Sequence, residues 1–158
     1  MREATLLLLF RGKGAEKELL LAMKKRGFGL DKWNGPGGKV DMEIGELPEE
    51  CIVREAKEEV GLDVQEVELV GTFDFIFPHD RTKDFHCYLY TSETFTGEAT
   101  ESEEMRPQWF KVSEIPYDQM WDDDKVWLPL ILQGKKLVGS FEFNESGNVI
   151  KHNLNDMP

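Results

Sequence analysis

Between Pro48 and Gly61 the chain places three glutamates, Glu55, Glu58 and Glu59, at i, i+3 and i+4. On a helix with 3.6 residues per turn these side chains project within an arc of about 100°. Ile52, Val53, Ala56 and Val60 fall on a neighbouring arc. The spacing therefore predicts an amphipathic helix over about 48–60 that packs on a core and lines one edge with carboxylates. Pro48 suits the first turn, Glu49 and Glu50 suit the positive end of the helix dipole, and Gly61 suits the stop. Leu47 is a poor N-cap, so the start is less sharply marked than the end. Like charges gathered on one face repel unless something positive sits between them. The alternative is a solvated acidic face, against which the adjoining apolar arc argues.

Upstream, Trp33-Asn34-Gly35-Pro36-Gly37-Gly38-Lys39-Val40 has three glycines in four residues, which permits close backbone approaches. Alone it is a turn. Joined to the glutamate helix it resembles the Nudix box, a loop-helix-loop motif written G-x5-E-x7-R-E-U-x-E-E-x-G-U, with U apolar. The match from Glu46 to Leu62 is complete with Ala56 as the first apolar position. Seven residues rather than five separate Gly38 from Glu46, so the box, at about 38–62, carries a two-residue insertion in its first loop. That insertion is expected to bulge outward.

The similarity extends over nearly the whole chain. Met23-Lys24-Lys25-Arg26-Gly27-Phe28-Gly29, Lys32-Trp33-Asn34-Gly35, Glu104-Met105-Arg106-Pro107-Gln108-Trp109-Phe110 and Met120-Trp121-Asp122-Asp123-Asp124 look like segments of the animal-type oxidised-purine nucleoside triphosphate diphosphatases, the 8-oxo-dGTP-hydrolysing branch of the Nudix hydrolases. The resemblance implies an α/β chain with the Nudix fold, an α-β-α sandwich around a mixed β-sheet. It also implies Mg²⁺ as cofactor, with Mn²⁺ able to replace it, and attack of water on the β-phosphorus to release nucleoside monophosphate and pyrophosphate.

Residue by residue, the resemblance makes Glu55, Glu58 and Glu59 the principal metal ligands, with the backbone carbonyl of Gly37 as a further one. Glu104 matches a carboxylate outside the box that serves as ligand or as base for the attacking water; the alternative is a surface acid in the run Glu101-Ser102-Glu103-Glu104. Arg54 reads as structural, pairing with a box glutamate. Asn34, Asp123 and Asp124 are expected to read the base, since a purine edge presents donors and acceptors that amide and carboxyl groups match. Trp121 is expected to stack on the ring. Thr5, Lys24, Phe28, Phe75 and Phe77 align with nucleoside-pocket residues, although the two strand phenylalanines also read as core and Lys24 as a surface lysine. Asp122 stands where the family member compared has proline, and a third carboxylate there should raise the pKa of its neighbours. Alternatively, Asp122 to Asp124 cap the following helix. Lys83 stands where an apolar pocket residue is expected.

Hydrolysis of a phosphoanhydride requires neutralised phosphate charge and a water made nucleophilic, which Mg²⁺ held by hard carboxylate oxygens can supply. The net charge of −12 argues against DNA or RNA as a partner. A triphosphate is compatible with it if divalent cations lie between carboxylates and phosphates.

The length of 158 residues suits a single domain with one substantial core. The apolar run Thr5 to Phe10 is too short to span a membrane and reads as a buried strand. Cys51 and Cys87 read as reduced packing residues of a cytoplasmic protein, expected to be monomeric, with no membrane partner. Patterning gives strands at about 4–11, 18–23, 67–77, 84–91 and 108–111, a second helix at about 124–133, and a final hairpin of 137–143 and 149–154 around the turn Asn144 to Asn148. Residues 155–158 are expected to fray. Two other readings stand beside the leading one: a Nudix diphosphatase for a different diphosphate-linked substrate, and a nucleotide-binding module disabled by its loop insertion.

Overall fold

Strand β1 (Arg2–Arg11) runs through the interior of a mixed sheet, which explains why the N-terminal apolar run has no polar side. The computed structural model describes residues 1–158. The other elements are β2 (Glu18–Lys24), β3 (Trp33–Asn34), α1 (Pro48–Val60), β4 (Asp63–Ile76), β5 (Phe85–Thr96), β6 (Met105–Lys111), α2 (Asp124–Leu132), β7 (Leu137–Phe143) and β8 (Val149–Asp156). The strand order is β3-β2-β1-β5-β4-β7-β8, with β6 also paired to β2. The pairs β1/β5 and β4/β7 are parallel and the rest antiparallel. The expected mixed sheet between two helices is what forms.

Alternation along the strands assigns each face its own core. Leu7 and Leu9 of β1 and Leu20 and Ala22 of β2 pack with Ile52, Ala56 and Val60 of α1. Leu8, Phe10, Leu19 and Leu21 turn the other way and join Phe73, Phe141 and the α2 residues Trp127, Leu128 and Ile131. Ile52 is completely buried, so truncating it to alanine should cost about 2–5 kcal/mol.

The helix α1 starts and stops for different reasons. Leu47 offers no side-chain cap, and its own amide instead donates to Oε1 of Glu50 at 2.9 Å. Gly61 adopts φ 73°, and a Cβ there would lie 2.3 Å from the hydroxyl of Thr100. Glycine is required by both conformation and space.

Several sequence-based boundaries need correction. β4 begins at Asp63 rather than near 67, because bulges between Val64 and Gly71 interrupt its alternation. β5 continues to Thr96, and the two-residue β3 has no periodic signal to reveal it. The C-terminal hairpin runs further than expected: Asn155 and Asp156 pair with Val138 and Leu137, and the Met157 amide donates to the Lys136 carbonyl. No helix is long and apolar enough to cross a membrane.

Candidate active site

The box helix carries its carboxylates to the glycine loop. Glu59 is buried, and its Oε1 accepts the Gly37 amide at 2.8 Å. Burial pushes the Glu59 carboxyl up to about 8, with the charges of Glu55 and Glu104 adding to the rise and the Gly37 bond and Lys24 opposing it. Burial raises Glu55 as well, opposed chiefly by Arg54. Arg54 meets Glu46 through Nε at 2.7 Å and Nη2 at 3.0 Å, while Nη1 reaches Glu55 at 3.0 Å and Glu58 at 3.2 Å. The Arg54 hydrogen bonds hold Glu46 down to about 2.

The two-residue insertion forms an outward single turn, Met42–Ile44, with Met42 and Ile44 exposed. Its neck is closed by the Asp41 amide, which donates to Oε1 of Glu46. The Glu46–Arg54 pairing survives the longer loop. Cys51 and Cys87 are both free and buried, as expected of packing residues.

With the side chains as they stand, no three carboxylate, histidine or cysteine residues converge to hold a metal ion. The donor set nevertheless fits a hard divalent cation. The Arg54 guanidinium already bridges Glu55 and Glu58, so this face accommodates positive charge between its carboxylates. Glu104 lies close enough for its charge to act on both Glu55 and Glu59, and it pairs with Lys24 at 3.7 Å and Arg26 at 3.5 Å.

Beyond the glycine loop opens a pocket of about 190 Å³. All nine residues expected to bind substrate line it: Thr5, Lys24, Phe28, Asn34, Phe75, Phe77, Trp121, Asp123 and Asp124. Gly37 lies at its edge, where a Cβ would come within 2.0 Å of the Thr5 carbonyl. Phe75 and Phe77 turn out to be core and pocket at once, since both are buried and both pack on Phe143. Phe143 and Phe85 also line the pocket and were missed, because a phenylalanine on an alternating strand carries no mark of what it faces. Lys83 lies outside this lining, on an exposed turn.

Where the pocket meets α2, Asp123 and Asp124 are almost completely buried. The Oδ2 of Asp123 accepts the Trp127 indole N–H at 2.7 Å, while the Oδ2 of Asp124 has no partner. Asp123 stands at the N-cap position just before α2, but its side chain caps no amide of that helix. Desolvation raises the pKa of both; for Asp124 the neighbouring Asp123 adds to it. A carboxyl that keeps its proton can donate as well as accept. Asn34 spends its carbonyl oxygen on the Gly35 amide, which leaves its NH₂ as a donor. Trp121 stacks obliquely on the exposed Phe28, with ring centroids 5.0 Å apart.

Asp122 raises the pKa of Asp123, as expected of a third nearby carboxylate, but its side chain is held elsewhere. It turns away toward Lys125 and the Val149 amide, and those two bonds hold its own pKa below the usual range. Its charge is only the smallest influence raising Asp123.

A family model for the NUDIX domain matches residues 1–131. The oxidized purine nucleoside triphosphate hydrolase of Danio rerio is 43% identical over 139 residues, covering 88% of this chain and 87% of that one. Its namesake from Mus musculus is 42% identical over 142 residues, covering 89% and 88%. Among solved structures, the mutator MutT protein from Bacillus halodurans superposes with a TM-score of 0.83 over the full length of both chains at 24% identity, a likeness of fold.

Proposed function

The chain belongs to the NUDIX domain family, and on that premise we propose that it hydrolyses oxidised purine nucleoside triphosphates, of the 8-oxo-dGTP and 2-hydroxy-dATP kind, to the monophosphate and pyrophosphate. The observation that carries this reading is the unpartnered, buried Oδ2 of Asp124 at the end of an apolar pocket whose other edge is the glycine loop. A buried polar atom without a partner is costly, and a ligand that supplies one is recognised strongly. Oxidation of a purine exchanges donors and acceptors on its edge, and a pair of carboxyls that retains a proton can match either arrangement. The relatives from Danio rerio and Mus musculus, whose names carry this activity, support the assignment.

In this reading Trp121 and Phe28 hold the ring, Asn34 and the two aspartates fix its orientation, and the triphosphate runs past Gly37 toward the box helix. Lys24, beside Glu104 and acting on Glu59, faces the phosphates. Glu55, Glu58, Glu59, Glu104 and the Gly37 carbonyl would hold divalent metal, Mg²⁺ by the chemistry of these hard oxygens, which supplies charge neutralisation and a more acidic water. Glu104 is more exposed than Glu59 and serves as the base that accepts the proton of the attacking water. Attack on the β-phosphorus breaks the α–β anhydride; the monophosphate leaves with the bridging oxygen and the water oxygen remains in pyrophosphate.

Incubation with 8-oxo-dGTP and Mg²⁺ followed by anion-exchange separation tests the bond cleaved. Equal amounts of monophosphate and pyrophosphate are expected. Release of orthophosphate and diphosphate, or turnover of nucleotide sugars and dinucleotides in preference to triphosphates, would replace this reading with a different diphosphatase.

A further inference from the structure

We infer that Asp122 is a positioning residue that ties the base-reading segment Trp121–Asp124 to the C-terminal hairpin and so sets how well the pocket discriminates between bases. The assignment deepens the proposed oxidised-purine reading and rests on it. It takes no role in bond cleavage.

The hairpin supplies the anchor. β8 is the edge of the sheet, so those of its amides that point away from β7 have no neighbouring strand to accept them. One of these, the N–H of Val149, donates to Oδ2 of Asp122 at 2.7 Å. The other oxygen of the same carboxylate pairs with Lys125 Nζ at 2.6 Å, one turn along α2. A single side chain thereby joins the start of α2 to the start of β8 by one charge-assisted hydrogen bond, from the Val149 amide, while the Lys125 pair holds the carboxylate at its α2 end.

The point of attachment lies at the pocket. Val149 is the register partner of Phe143, at a bulge that ends the β7/β8 ladder. Phe143 stacks on Phe77 at 5.2 Å and meets Trp121 edge-on at 6.2 Å, and all three rings line the pocket. Asp122 therefore sits between Trp121 and Asp123 in sequence and ties their segment to β8 beside Phe143, the ring that meets Trp121. With that bond removed, the segment loses its tie to β8 and can move away from Phe143, while the Asp123 side chain keeps its bond from Trp127. Loss of base fit would appear in KM and in discrimination, while the carboxylates of α1 stay where they are.

The test compares wild type, Asp122→Ala, Asp122→Asn and Lys125→Ala in steady-state hydrolysis of 8-oxo-dGTP and dGTP with Mg²⁺. Asparagine keeps an oxygen for the Val149 amide and loses the ion pair; Lys125→Ala loses the ion pair alone. The expected result is a KM for 8-oxo-dGTP raised about tenfold in Asp122→Ala, as for the loss of one hydrogen bond to a charged group. Its kcat should stay within about twofold, its preference for 8-oxo-dGTP should fall, and the asparagine and Lys125 variants should remain near wild type. An Asp122→Ala enzyme with unchanged KM and preference overturns the assignment, as does a fall in kcat that is equal on both nucleotides. Lys125→Ala reproducing the alanine variant would overturn the role of the Val149 bond. A wild type that treats the two nucleotides alike overturns the oxidised-purine reading and this assignment with it, whereas a discriminating wild type matched by Asp122→Ala overturns this assignment alone.

Discussion

The amide of Gly37 donates to Oε1 of Glu59 at 2.8 Å, tying the glycine loop to the buried carboxylate of the box helix. This one bond joins the two halves of the motif. It fixes the depth at which the loop passes under the helix, and it requires that residue 37 approach β1 so closely that no side chain fits.

Glu59→Gln retains an oxygen for the Gly37 amide and changes little volume, but removes the charge assigned to metal binding. Turnover should fall by more than about a hundredfold, beyond what outer-shell changes at metal sites cost. Nucleotide affinity by calorimetry should stay within about threefold, and the melting temperature should not fall. Near-normal kcat would remove Glu59 from the ligand set.

Gly37→Ala should damage both stability and activity. A Cβ would stand 2.0 Å from the Thr5 carbonyl, a backbone atom that cannot swing aside. A loss of about 2 kcal/mol, or roughly 6 °C in Tm, is expected from such overpacking. Thermal melts and turnover on the same preparation check it; an unchanged Tm would mean that the loop sits higher than described.

Asp124→Asn should stabilise the protein in a pH-dependent way. The folded carboxyl has a pKa well above its ordinary value of 3.8, raised first by burial and then by Asp123. The folded state thus binds this proton more tightly than the unfolded chain does. The resulting stability is complete below about 3.8, the unfolded value, and is lost as pH rises through the folded value. Asparagine has no proton to lose, so the variant should gain on wild type between pH 5 and pH 8, by about 2 kcal/mol or roughly 6 °C at the upper end. Its selectivity for oxidised bases should fall at the same time. A margin that is the same at pH 5 and pH 8 would place the ionisation elsewhere.

Trp127→Phe removes the N–H that Oδ2 of Asp123 accepts at 2.7 Å and leaves that oxygen buried without a partner. Destabilisation of about 1–3 kcal/mol is expected for the unmet group. Base discrimination should weaken more than kcat for a triphosphate does, read from kcat and KM on oxidised and undamaged substrates. Equal loss on both would make the contact purely structural.

The sequence was legible where a period or a motif repeats a physical demand. The glutamate spacing, Gly61 and the apolar arc of Ile52, Ala56 and Val60 foretold α1 and its two edges, and the nine residues that the resemblance assigned to substrate lie around one pocket. What escaped depends on partners distant in sequence. Phe143 resembles any strand phenylalanine until the β4/β7 pairing places it against Phe77. Asp122 does raise Asp123 as its sequence position suggests, but the sequence does not reveal its second partner, the Val149 amide 27 residues away. The early part of β4 was hidden by bulges that break the two-residue period. Arg54 between Glu55 and Glu58 likewise shows a neutralised face where spacing alone suggested repulsion.

The most direct test of the central claim is pyrophosphate release with Mg²⁺ from 8-oxo-dGTP, 2-hydroxy-dATP, dGTP and dATP, compared as kcat/KM. A buried carboxyl pair that reads oxidised edges predicts at least about a tenfold preference for one or both oxidised nucleotides, the scale of one hydrogen bond matched or lost. Equal kcat/KM on all four would contradict it and leave a general nucleoside triphosphate diphosphatase.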